Sequence, residues 1–140
     1  MKLLLITVLI GALKITGYQS LKKNTDNTPF HTSTGDHVHS GGVAVSRDLL
    51  CTACRRLHKR CAHPEVAGRI HYGDGLYING HGLVKVNDIM GEYTRQRVNG
   101  KIVKIPITQQ IDIWVPSLRE EQKVFKQYRN GKTEVWKVTK

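Results

Sequence analysis

The 140-residue chain is poor in several residue types, with two methionines, four prolines and three cysteines. Aromatic side chains make up only 6% and do not interleave with the basic ones, which excludes a base-stacking platform for single-stranded nucleic acid. No lysine/arginine run has the form of a nucleic-acid arm. Acids are scarce, 11 against 22 lysines and arginines, so the net charge is +11. No apolar run reaches the about 20 residues that a spanning helix needs. There is no second CxxC to complete a four-cysteine zinc site, and no internal repeat.

The apolar run that does exist is N-terminal. MKLLLITVLIGALKITG has an early lysine, apolar residues from Leu3 to Leu13, and then Lys14. This is the pattern of an export signal removed after Gly17, or of an uncleaved membrane anchor that gives transient membrane association. Removing residues 1–17 takes away Lys2 and Lys14 and leaves +9. Such a charge implies a polyanionic neighbour, and with export the candidates are an anionic membrane or cell wall rather than nucleic acid. Expected localisation is therefore the periplasm or cell envelope. Residues 18–29 are polar and read as a linker, so ordered structure is expected from Phe30 and the domain over 30–140.

Within that domain the pattern is mostly short strands. Val43-Ala44-Val45 is one. Leu76-Tyr77-Ile78 and Leu83-Val84-Val86, separated by Asn79-Gly80-His81-Gly82, form a β-hairpin. Its second strand delivers Asp88, which suits chemistry or the start of a turn. Arg95 to Lys101 is charged and contains the Asn99-Gly100 turn. Ile102 to Ile107 is a strand that Pro106 places at an edge. Ile111-Asp112-Ile113-Trp114 is another strand, ended by Pro116. Ser117 and Glu120 form a capping box for a helix whose face carries Leu118, Val124, Phe125 and Tyr128. Asn130-Gly131 closes that helix, and Glu134 to Val138 makes a final strand. The expected class is mainly β: a small barrel with one C-terminal helix and a cysteine-containing insertion.

Cys51, Cys54, Cys61 and His63 have zinc-like spacing. The same cysteines suit a disulfide of Cys61 with Cys51 or Cys54, or three buried thiols on a helix face. Each of these is structural. No base-assisted thiol nucleophile is evident, although His58 can approach Cys54 or Cys61. His31, His37, His39 and His71 carry no strong metal pattern, and His81 in the hairpin loop is either solvated or a sugar contact.

The order of these pieces resembles the 3D domain, named for three aspartates, of the membrane-bound lytic transglycosylase A family. Rare lipoprotein A and the expansins have related barrels. Thr32-Ser33-Thr34-Gly35 sits where that family has a threonine-glycine segment, and Val43-Ala44-Val45 matches its first strand. Ile70-His71-Tyr72-Gly73 matches its turn, Asp88 its second aspartate and Asp112 its third. The likeness covers about residues 30–138. Three departures stand out: Ser46 occupies the first aspartate's place with Asp48 two residues on, residues 50–69 are inserted, and the segment between Asp88 and Asp112 is long and lacks a glycine-rich run.

The resemblance implies a six-stranded double-psi β barrel that cleaves peptidoglycan glycan strands without cofactor or metal. Asp112 is then the general acid and base, and Asp88 raises its pKa or holds a sugar hydroxyl. Asp48, Thr32 and His81 are substrate-binding candidates. The plainer alternative is that the aspartates are ordinary polar-face strand residues. The rival functions are an expansin-like binding module and a β-1,4 hydrolase using two carboxylates.

Overall fold

The computed structural model describes residues 6–19, 32, 34, 41–62 and 70–139. Ten elements follow in chain order: β1 (Ile6–Tyr18), β2 (Gly42–Val45), α1 (Thr52–Leu57), β3 (Gly75–Ile78), β4 (Gly82–Ile89), β5 (Tyr93–Val98), β6 (Lys101–Pro106), β7 (Gln110–Trp114), α2 (Leu118–Tyr128) and β8 (Thr133–Thr139). Six strands close into a barrel in the order β1-β7-β2-β4-β3-β8. Two of its pairs, β1/β7 and β2/β4, are parallel, as a double-psi barrel requires.

Period-two alternation explains the interior. Leu13 and Ile15, Val43 and Val45, Leu76 and Ile78, Val84 and Val86, Ile111 and Ile113 are all buried and belong to one hydrophobic cluster. Their strand neighbours point to the outer face. Closure depends on β1 serving two partners. Its first half runs antiparallel to β8 and its second half parallel to β7. The halves meet between Leu13 and Lys14, and a register shift between Leu9 and Gly11, with Gly11 at φ 151, interrupts the β8-paired half.

The N-terminal segment therefore differs from expectation. Residues 6–18 are a barrel strand, and the barrel begins at Ile6 rather than Phe30. The described part of the run that resembles a signal core lies in this strand, whose later residues Leu13 and Ile15 enter the core while Val8 and Leu9 stay exposed. Cleavage after Gly17 would delete that strand. The linker assigned to 18–29 lies almost wholly outside the described residues.

The sixth strand also changes. β6 does not join the barrel. It pairs only with β5, in a two-stranded ribbon turned at Asn99 and Gly100, and every residue of both strands is exposed. The expected hairpin forms as β3 and β4. Gly80 at its turn has φ 82, and a Cβ there would meet Gln127 Nε2 at 2.9 Å. That amide donates to Gly80 O at 2.7 Å, and Tyr128 Oη donates to Asn79 O at 2.9 Å. The end of α2 thus clamps the turn.

At the start of α2, Ser117 Oγ accepts from Glu120 N at 3.3 Å, the expected cap. Only part of the expected apolar face is buried. Val124 and Tyr128 pack inward, whereas Leu118 and Phe125 are exposed.

Candidate active site

One row of residues crosses four adjacent barrel strands. Thr16 on β1 is the register partner of Asp112 on β7, Asp112 of Ala44 on β2, and Ala44 of Asp88 on β4. Asp112 follows outward from the alternation of Ile111 and Ile113, which are buried. Ala44 is the only side chain between the two carboxylates in this row. Two strand spacings put the Asp112 and Asp88 backbones about 10 Å apart. The small methyl leaves the space above it to whatever reaches across.

Tyr18 does so. It shares the outer parity of Thr16, and its hydroxyl donates to Asp88 Oδ2 at 3.4 Å. Burial first, and then the charges of Asp88 and Asp112, push the tyrosine hydroxyl far above its ordinary range, so it stays a neutral donor. Asp88 Oδ1 accepts from Ile89 N at 2.9 Å.

Asp112 sits at the end of a hydrogen-bond relay. Gln110 Nε2 donates to Thr16 Oγ1 at 2.9 Å, and Thr16 Oγ1 donates to Asp112 Oδ1 at 2.9 Å. That bond favours the carboxylate, but desolvation outweighs it. Together with the charges of Glu121 and Asp88, burial raises the Asp112 pKa from 3.8 to about 7. Glu121 is held by Gln19 Nε2 at 2.8 Å.

Beside this row lies a cavity of about 320 Å³ lined by Thr16, Gly17, Glu121, Gln122 and Phe125. It falls at the low end of ligand clefts, about 300–1,000 Å³. α2 packs directly over β1 here, so that a Cβ on Gly17 would stand in ordinary contact with Val124 at 3.4 Å.

Asp112 and Asp88 thus come together. Thr32 joins them through Thr34. The two hydroxyls are 3.0 Å apart, and Thr34 Oγ1 donates to Asn87 O, next to Asp88, at 3.2 Å. Asp48 has a different position and task. It is exposed, and its two oxygens accept from Gln109 N at 3.3 and 3.1 Å, supporting the left-handed turn (φ 50) into β7. Ser46, at the first aspartate's place, accepts from Gln110 N at 3.0 Å.

His81 is also separate. It lies seven residues from Asp88 along the hairpin strand, about 20 Å in extended backbone, and partial burial lowers its pKa. Thr16, Tyr18 and Glu121 are site residues that the motif reading missed. The alternation in Leu13-Lys14-Ile15-Thr16 was the available signal for the first of them.

A second cluster forms in the insertion. Ligand atoms of Cys51, Cys54, Cys61 and His71 all lie within 4.8 Å of one another. The Cys54–Cys61 and Cys51–Cys61 sulfur separations are 3.0 and 3.5 Å, well beyond the about 2.05 Å of a disulfide. His63 lies outside the described residues, as do His31, His37 and His39. Burial and the contact with Cys61 push the Cys54 thiol up to about 11, which disfavours a thiolate nucleophile at neutral pH.

Next to this cluster, buried Asp74 accepts from Arg60 at 2.8 Å and from His71 N at 2.7 Å, and it lies 3.2 Å from Lys137 Nζ. No described helix is long and apolar enough to cross a membrane. Neither the models of known protein families nor the curated proteins give a match for this chain.

Proposed function

We propose that the chain is a peptidoglycan-cleaving lytic transglycosylase with Asp112 as its acid and base. The observation that carries this reading is a carboxyl that keeps its proton to about pH 7, in one strand row with a second carboxylate and beside a cleft. A protonated Asp112 donates to the oxygen between two sugars as the bond breaks. The resulting carboxylate then takes the proton of the sugar's own 6-hydroxyl, whose oxygen closes a 1,6-anhydro ring. No water is consumed, so one carboxylate serves both halves.

Thr16 orients the Asp112 carboxyl. Asp88 and Tyr18 hold sugar hydroxyls, and exposed Phe125 offers an apolar face to a sugar ring. The net charge of +11 attracts the anionic wall. Glycan strands lie outside the cytoplasmic membrane, so this reading puts the protein in the cell envelope, as a wall enzyme or a phage lysis factor.

A non-catalytic, expansin-like binding module is the second reading. It is favoured by the β5–β6 ribbon, which stands where the resembling family has a glycine-rich run. Mass spectrometry of sacculi incubated with wild-type and Asp112→Asn protein separates the readings. Anhydro ends from wild type alone are expected, with a loss of at least about 10²–10⁴-fold in the variant. Reducing ends would mean a hydrolase. Binding without fragments would mean the module, and equal anhydro release by a folded Asp112→Asn protein would remove Asp112 from the chemistry.

A further inference from the structure

We propose that the insertion is a structural zinc site whose four ligands are Cys51, Cys54, Cys61 and His71. The spacing of Cys51, Cys54, Cys61 and His63 suggests a local site. The fold brings His71 to the sulfurs. Two backbone pairings carry it there: Cys51 N donates to Ile70 O at 2.7 Å, and Ile70 N donates to Leu49 O at 2.8 Å, around the parallel bridge of Leu50 with Ile70. The two ends of the insertion are thereby tied side by side, and the residue after Ile70 lands beside Cys51.

Helix α1 supplies the other geometry. Cys51 is its N-cap, and Cys54 follows one turn later on the buried side. His58, at φ 54, ends the helix in the left-handed conformation, and the chain turns back so that Cys61 meets Cys54. Cys51, Cys54 and His71 are buried, while Cys61 is only partly so.

Tetrahedral zinc with about 2.3 Å bonds to sulfur sets sulfurs roughly 3.8 Å apart. The observed cluster, with all ligand atoms within 4.8 Å, needs adjustments of only about 1 Å to reach that geometry. Three close sulfurs can form at most one disulfide and would leave an odd thiol packed against it, whereas one cation uses all three.

Backbone N–H groups face the Cys54 sulfur. Cys61 N donates to Cys54 Sγ at 3.2 Å, and a backbone bond from Tyr72 reaches the same sulfur. Such N–H groups stabilise charge on a metal-bound sulfur. His71 Nδ1 is 3.9 Å from Asp74 Oδ2, which leaves Nε2 as the nitrogen for the metal, with a carboxylate behind the ring. Zinc binding would release the three thiol protons to solvent, and no redox partner is needed. Leu50, Cys51, Cys54 and Ile70 also belong to the barrel's hydrophobic cluster, so a bound metal would add to packing that already holds α1.

The test is metal analysis of the full chain purified under reducing conditions, alongside His71→Ala, Cys54→Ser and His63→Ala variants. About one zinc per chain is expected, kept in His63→Ala and lost from the other two. Wild type that stays zinc-free after incubation with equimolar zinc would overturn the proposal, as would a Cys51–Cys61 or Cys54–Cys61 disulfide in its peptide map. Loss in His63→Ala with retention in His71→Ala would overturn the ligand set.

If the ligand variants fail to fold, cobalt(II) absorption of the wild type still decides. A tetrahedral spectrum with charge-transfer intensity for three thiolates supports the site, and a spectrum of two or fewer overturns it. A folded His71→Cys protein that still binds one metal would support the position.

Discussion

The carboxyl of Asp112 keeps its proton to about pH 7, and under the proposed reading both its chemistry and its stability weaken as that proton is lost. Below about 7 the group can act as an acid, so cleavage should fall as pH rises through that value. The folded pKa lies above the unfolded 3.8, so between those values the folded chain holds a proton that the unfolded chain has lost. Stability therefore declines as pH rises through this window. The difference between 3.8 and about 7 is worth up to about 4 kcal/mol. Asp112→Asn cannot ionise, and its amide oxygen can still accept from Thr16. In urea titrations it should match wild type at pH 4 and exceed it at pH 8. Equal midpoints at both pH values would show that ionising Asp112 carries no folding penalty.

Elements differ in what they owe to the barrel. α2 is bound to it by Val124 and Tyr128 and by its clamp on the β3–β4 turn, and it forms one wall of the cleft. The β5–β6 ribbon is joined mainly through its own chain ends, where Ile107 N donates to Glu92 O at 3.0 Å. It carries Arg95, Arg97, Lys101 and Lys104 with no acid between Tyr93 and Pro106. Replacing residues 93–106 by a short Asn-Gly turn should leave barrel unfolding nearly unchanged. Pull-down on purified sacculi should then become weaker and less salt-sensitive, since such contacts are screened over about 10 Å at 0.1 M salt. An unchanged salt dependence would place the wall contact elsewhere.

For the molecule as a whole, closure rests on β1. It fills the gap between β7 and β8 and contributes Leu13 and Ile15 to the core. It also brings Thr16 and Tyr18 to the carboxylates. A chain starting at Tyr18 would expose two strand edges and lose the relay to Asp112. Its proton NMR spectrum should lose the dispersion of the full chain, and its unfolding should lose cooperativity. A truncated protein that unfolds like the full chain would show that the barrel closes without β1.

Local patterns in the sequence were enough for the β class, the β3–β4 hairpin, β2, β7, β8 and the capped helix α2. Each is set by residues a few positions apart: alternation, Asn-Gly turns, the Ser117 cap. The motif order singled out Asp88 and Asp112, and the register puts both in one row on either side of Ala44. What the tertiary structure alone decided involves contacts between distant residues. Thr16 and Asp112 are 96 positions apart, and no local pattern tells whether the apolar stretch from Ile6 to Leu13 will meet lipid or two waiting strand edges. An apolar run too short to span a bilayer fits both. Asp48 and Asp88 look alike in sequence, yet only one faces Asp112, because the other is spent on the turn at Gln109. His71 reaches the cysteines through contacts of the same long-range kind. Spacing describes chain length, and the bridge of Leu50 with Ile70 is what brings His71 to the cysteines.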